Sequence, residues 1–110
     1  MDTIGKYRQI IEHVLTKYSQ IPEPYGQIEA YTIFDREGDH YLLMNVGWNR
    51  IRIHGAVIHV DIINGKCWIQ YDGIEMGIVD ELEAAGIPKE DIVLGFRPPE
   101  IRPYTGYAVS

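Results

Sequence analysis

His59 and Asp61 stand two residues apart in the β-favouring run from Ile53 to Ile63. On a strand that spacing turns both side chains to one side, with their Cα atoms about 7 Å apart. His40 lies in the preceding strand-like run and reaches them if the reversal between the two runs is short. Two imidazoles and a carboxylate offer metal ligation or a general acid–base pair. No ligand motif fixes either use, and Cys67 belongs to the opposite side of its own strand. The sequence therefore leads to the expectation of no metal, no cofactor and no catalytic residue. A small metal-dependent enzyme using His40, His59 and Asp61 is the least favoured reading.

The remaining reactive residues carry less. His54 is expected near the end of a core-facing strand side, and His13 among polar neighbours of a helix. Cys67 reads as a small buried hydrophobe. As the one cysteine, it permits no intrachain disulfide. Ser19 and Ser110 lack a nucleophile elbow, and the glycines at 73 and 77 form no phosphate loop. Met1-Asp2-Thr3 leads into an amphipathic segment and not into a basic and then apolar leader, so the expected compartment is the reducing cytoplasm. No apolar run approaches the length of a membrane span.

Charge narrows the partners. The net charge of −6 resides in the segment from Asp72 to Asp91, where seven acids face Lys89 alone. That segment reads first as a solvated helix face, and second as a docking surface for a basic partner. Duplex DNA binding requires clustered Lys and Arg to neutralise phosphates. Here the longest basic grouping is Arg50-Ile51-Arg52. A DNA-binding stripe would have to be assembled from Arg8, Lys17, Arg50, Arg52, Arg97 and Arg102, so direct nucleic-acid binding is disfavoured.

The elements that must position these residues follow from periodicity. At 110 residues, 45% of them apolar and 24% charged, the chain reads as one globular α+β domain spanning 1–110. Ile4, Tyr7, Ile11, Val14, Leu15 and Tyr18 make one stripe of a helix over about 3–18, ending before Pro22 and Pro24. Strands follow over 27–35, 40–48, 53–63 and 66–71, an antiparallel meander of four. Ile74, Ile78, Leu82 and Ala85 then predict a second helix over 74–85, closed by Gly86. Ile92 to Phe96 reads as a short C-terminal strand. The proline-rich tail is irregular but held by Ile101, Tyr104 and Tyr107.

Asn64-Gly65 is a two-residue hairpin turn and sets a register. It pairs Ile63 with Lys66, Ile62 with Cys67, Asp61 with Trp68, Val60 with Ile69, His59 with Gln70 and Ile58 with Tyr71. One face then shows Ala56, Ile58, Val60, Ile62, Cys67, Ile69 and Tyr71, a core face on which Ile58, Val60, Ile62 and Ile69 are expected to be buried along with Leu82. The other shows Val57, His59, Asp61, Ile63, Lys66, Trp68 and Gln70. Leu42, Met44 and Val46 extend that second face if the preceding reversal keeps parity. Two helices cover one face, so Leu42, Met44, Val46, His59, Asp61, Trp68 and Gln70 are the expected interface of a homodimer. The competing expectation is that the first helix or the tail wraps over this face.

Four stretches carry a family resemblance. They are Tyr7-Arg8-Gln9-Ile10-Ile11; Asp39-His40-Tyr41-Leu42-Leu43-Met44 with Gly47-Trp48; His54-Gly55 and Ile58-His59-Val60-Asp61-Ile62 with Gly65-Lys66-Cys67-Trp68-Ile69-Gln70; and Gly86-Ile87-Pro88-Lys89-Glu90-Asp91-Ile92-Val93-Leu94-Gly95-Phe96, with Pro99-Glu100, Arg102, Tyr104-Thr105 and Ala108-Val109. Together they resemble the XisI family, the fdxN element excision controlling factor proteins of cyanobacteria, over nearly the whole chain. The resemblance implies a non-enzymatic accessory factor in control of site-specific DNA element excision. It implies action through protein–protein binding, with an XisH-like protein as companion, and it carries over no catalytic residue. The competing function is a direct DNA-binding excision factor.

Overall fold

A computed structural model describes residues 2–22 and 27–110. The first helix, α1, runs Thr3–Ser19, and the Asp2 carboxylate caps it by accepting the Ile4 N–H. Its stripe of Tyr7, Ile11, Val14 and Leu15 is buried. Pro22 follows the helix as expected; Pro24 lies outside the described residues.

Four antiparallel strands come next: β1 (Gln27–Asp35), β2 (His40–Asn49), β3 (Ile51–Ile63) and β4 (Lys66–Asp72). After a helix, α2 (Val79–Ala85), the chain adds β5 (Ile92–Leu94) alongside β4 in parallel. The sheet order is β1-β2-β3-β4-β5, so the meander is extended by a crossover strand. The fold is α+β, as the periodicity indicates, with a mixed sheet of five strands.

Asn64 and Gly65 both have positive φ, 51° and 79°, as a type I′ turn demands. From that turn the register runs as expected through Ile63–Lys66, Ile62–Cys67, Asp61–Trp68 and Val60–Ile69. It then shifts by one. His59 faces Tyr71 and Ile58 faces Asp72, with Gln70 the extra residue of a bulge. Tyr71, expected in the core, is turned out and exposed. A second bulge lies between β2 and β3: Leu43 faces Ile58 but Met44 faces Ala56, leaving Val57 unpaired with β2. Parity therefore reverses below residue 57. Val57 packs against the core, while Ala56 and His54 join the outer side opposite Met44 and Val46. His54 is exposed, not a core histidine.

The second helix is also shorter than 74–85. Its expected first turn is instead an irregular loop held by Asp72, whose carboxylate accepts the N–H of Ile74 at 3.1 Å and of Ile78 at 2.8 Å. Gly77 takes φ +76°, which breaks helical geometry. Ile78 is still fully buried and Ile74 packs on the core, so loop and helix together mimic one apolar stripe. Gly86 ends α2 at φ 123°, and Ile87 N–H returns to the Leu82 carbonyl.

Both helices contribute to one buried cluster on one sheet face, with Tyr41, Leu43, Ile58, Val60, Ile62, Cys67, Ile69 and Ile92. All five positions expected to be buried, Ile58, Val60, Ile62, Ile69 and Leu82, are buried. The phenols of Tyr7 and Tyr18 donate to Asp91 and Glu81, tying α1 to the C-terminal half. In the tail only Tyr107 packs on the core; Tyr104 and Ile101 are exposed, and Ala108 N–H bonding Ile92 O supplies the anchor.

Two glycines on neighbouring strands separate close packing from open space. A Cβ on Gly47 would strike the Gln27 carbonyl oxygen and sit 2.7 Å from Ile28 Cα; one on Gly55 meets nothing within 4 Å. Urea unfolding should show Gly47→Ala destabilised by about 1–3 kcal/mol and Gly55→Ala unchanged or slightly stabilised. Equal losses at both sites would contradict the β1–β2 pairing.

Asp39 provides a pH test. The Arg8 guanidinium, at 2.8 Å, holds its carboxyl below the ordinary value; burial opposes this, and the Tyr41 hydroxyl reinforces it. A lowered folded value gives stability that is complete above the unfolded pKa of about 3.9 and lost as pH falls through the folded value. The stability gap between wild type and Asp39→Asn should narrow as pH drops from about 5 toward 2. Asn also tolerates the positive φ of 59° at this position. A gap constant with pH would contradict the ion pair.

Candidate functional site

The sheet face away from the helices gathers side chains from four strands. In cross-strand rows it presents Ile33, Leu42, His59 and Tyr71, then Tyr31, Met44 and Ala56, then Val46 with His54. Trp48 at the end of β2 is 56% exposed, with the Arg52 guanidinium 5.3 Å from its ring centroid. Leu42, Met44 and Val46 do share this face with His59, Asp61, Trp68 and Gln70, so the seven residues singled out from the sequence lie on one side. β1 adds Tyr31 and Ile33, which the sequence reading missed; their alternation with Ala30, Thr32 and Phe34 is the signal that places them outward.

Trp68 differs from the rest of the patch. The tail folds against β4, and the Arg102 guanidinium lies 5.1 Å from the Trp68 ring centroid. Arg102 is itself held by the carbonyls of Arg97 and Gly95, at 3.0 and 3.4 Å. The tail thus covers Trp68 in part, while among the described residues the rows on β1 to β3 stay open. The expectation that the tail wraps over this face is met at Trp68.

Asp61 is 8% exposed and sits where three strands' polar groups meet. Because His40 pairs directly with Asp61 across β2 and β3, the reversal brings the three groups together. Asp61 Oδ1 lies 2.8 Å from His40 Nδ1 and 2.8 Å from His59 Nε2. Oδ2 accepts from Gln70 Nε2 at 3.3 Å, with Gln70 the bulged residue of β4. Burial pushes the Asp61 carboxyl up, but the hydrogen bonds from the two histidines more than reverse this and hold it below the ordinary value. The same hydrogen bond to Asp61 raises His40. Cys67, on the opposite face, is fully buried, and burial pushes its thiol up to about 12, which makes it unreactive.

Of the six basic residues a DNA-binding stripe would need, Arg8 is paired with Asp39 and Lys17 with Glu81. Arg52, Arg97 and Arg102 lie over Trp48, Phe96 and Trp68.

A family model described as XisI protein matches residues 1–109. This chain belongs to the XisI family. Two solved structures are similar to it over 99% of this chain and 100% of theirs. One is a XisI-like protein from Anabaena variabilis ATCC 29413, 38% identical with a TM-score of 0.87. The other is the fdxN element excision controlling factor XisI from the same organism, 34% identical with a TM-score of 0.85. A comparison with curated proteins finds no match. Among the described residues of this XisI-family chain, no helix is long and apolar enough to cross a membrane.

The cover over Trp68 is testable in solution. In a Trp48→Phe background, Arg102→Ala should raise acrylamide quenching of Trp68. It should cost only about 0.5–1 kcal/mol of stability, the scale of an exposed cation–π contact. Unchanged quenching would show that the tail does not shield this ring.

Proposed function

We propose that this chain is a non-enzymatic accessory factor in control of site-specific excision of a DNA element, acting in the cytoplasm as a single unit spanning 1–110 and working by binding protein. The reading is supported by family membership and by similarity to a factor whose own name states control of fdxN element excision. The observation that carries it is the open outer sheet face, where Tyr31, Ile33, Leu42, Met44 and Val46 adjoin without a covering layer among the described residues. Contiguous apolar patches of this kind mark interaction sites. Two copies pair through this face, with Met44 near its centre, and an XisH-like protein is the functional partner of the pair.

The competing reading, direct DNA binding, finds less support. Net charge is −6, and Arg8 and Lys17 are engaged by carboxylates. Counterion release needs free cations aligned along a surface.

Light scattering at micromolar concentration tests the pairing. The wild-type chain should have twice the 12.6 kDa mass of one copy. Met44→Asp should return it to a single copy with its circular dichroism intact, because the core lies on the opposite face. A wild-type mass of 12.6 kDa would end the pairing claim. A salt-dependent gel shift with duplex DNA at physiological ionic strength would favour the competing reading.

A further inference from the structure

We propose that His40, His59 and Asp61 form a binding site for a divalent late first-row transition ion, with Zn²⁺ as the test case. The donor set is two imidazoles and one carboxylate. Its three ligand atoms all lie within 4.8 Å of one another. Zinc binds imidazole nitrogen at about 2.0–2.1 Å and carboxylate oxygen at about 2.0–2.2 Å, which places tetrahedral donors about 3.4 Å apart. Side-chain rotations on the scale of an ångström reach that geometry. His40 has room to make them, since its side chain is 54% exposed.

The ligands stand on a rigid frame. His40 is directly opposite Asp61 on paired strands, and His59 precedes Asp61 by two residues on the same strand. Gln70 holds Oδ2, leaving Oδ1 as the atom that faces both histidines. That is the outer partner a ligating carboxylate needs to keep its orientation. In the ion-free form both ring nitrogens donate to Oδ1. An ion bound there takes the lone pair of each of these nitrogens, so the proton each carries leaves it for the ring's other nitrogen or for solvent.

The chemistry selects the class of ion. Two imidazoles disfavour calcium and magnesium, which take oxygen shells. The lack of thiolate disfavours copper(I) and iron–sulfur centres, and Cys67 is buried on the other face. Three protein ligands leave at least one coordination position open, on the outer side of the sheet. All three ligands come from one chain, so the donor set is complete without a second copy.

The full-length chain, stripped with a chelator, is titrated with Co²⁺ and then with Zn²⁺. Co²⁺ should give a saturable visible absorption band at one equivalent per chain, displaced by Zn²⁺. His40→Ala, at a half-exposed position where folding is retained, should weaken Zn²⁺ binding by at least about 100-fold, and Gln70→Ala by about 10-fold. His13→Ala and His54→Ala, outside the cluster, should bind as wild type. Thermal unfolding of each variant confirms that it is folded. The absence of saturable Zn²⁺ binding tighter than roughly 10 μM would overturn the proposal, leaving a hydrogen-bonded polar cluster. So would binding that survives His40→Ala or that disappears with His13→Ala or His54→Ala.

Discussion

Two helices of 17 and 7 residues cannot cover both faces of a five-stranded sheet, and most of what is distinctive here descends from that constraint. α1 and α2 share one buried cluster with the inward side chains of β2 to β5. Among the described residues, the outward side chains of β1 to β3 are left without a layer, although Tyr31, Ile33, Leu42, Met44 and Val46 are of types that normally find one. The tail meets this need only at the β4 end, where Arg102 lies over Trp68. The open part is therefore an apolar surface whose position follows from which face the helices chose.

That division of faces is adjusted by two bulges. The extra residue at Val57 turns a side chain that strict alternation would point outward into the core, and it moves Ala56 and His54 out. The extra residue at Gln70 turns Tyr71 outward. Without the second bulge, Gln70 would pair with His59 as the hairpin turn alone implies. A buried carboxylate needs several donors to stay ionised, and Asp61 has three, from β2, β3 and the β4 bulge. Family membership places this chain beside excision controlling factors; its chemistry on this face is built from those donors.

Much of this was legible in the residues. Asn64-Gly65 dictated both the turn and four consecutive pairs of the register, because a type I′ turn admits little else. The stripe from Ile4 to Tyr18 gave α1 almost to the residue. The bulges were not legible: a one-residue insertion leaves an alternating strand looking regular when Val57 and Ile58 are both apolar. Ile74 and Ile78 fall at helical spacing yet lie on an Asp72-held loop, so periodicity alone overextends α2. The β5 partner was hidden too, since a three-residue strand says nothing of where it pairs. The spacing of His59 and Asp61 puts them side by side, but the arrival of His40 depends on the β2–β3 register, which the residues leave open.

The pairing of two copies through the open face is the central claim, and an inter-copy distance tests it most directly. A nitroxide on Glu29→Cys sits at the edge of that face, opposite Val46. Cys67 is fully buried and resists labelling, so the label is confined to one site. Double electron–electron resonance should then give one defined distance between copies, shorter than the 40 Å long axis of a single copy. A spectrum with no dipolar modulation at concentrations well above micromolar would contradict pairing through this face.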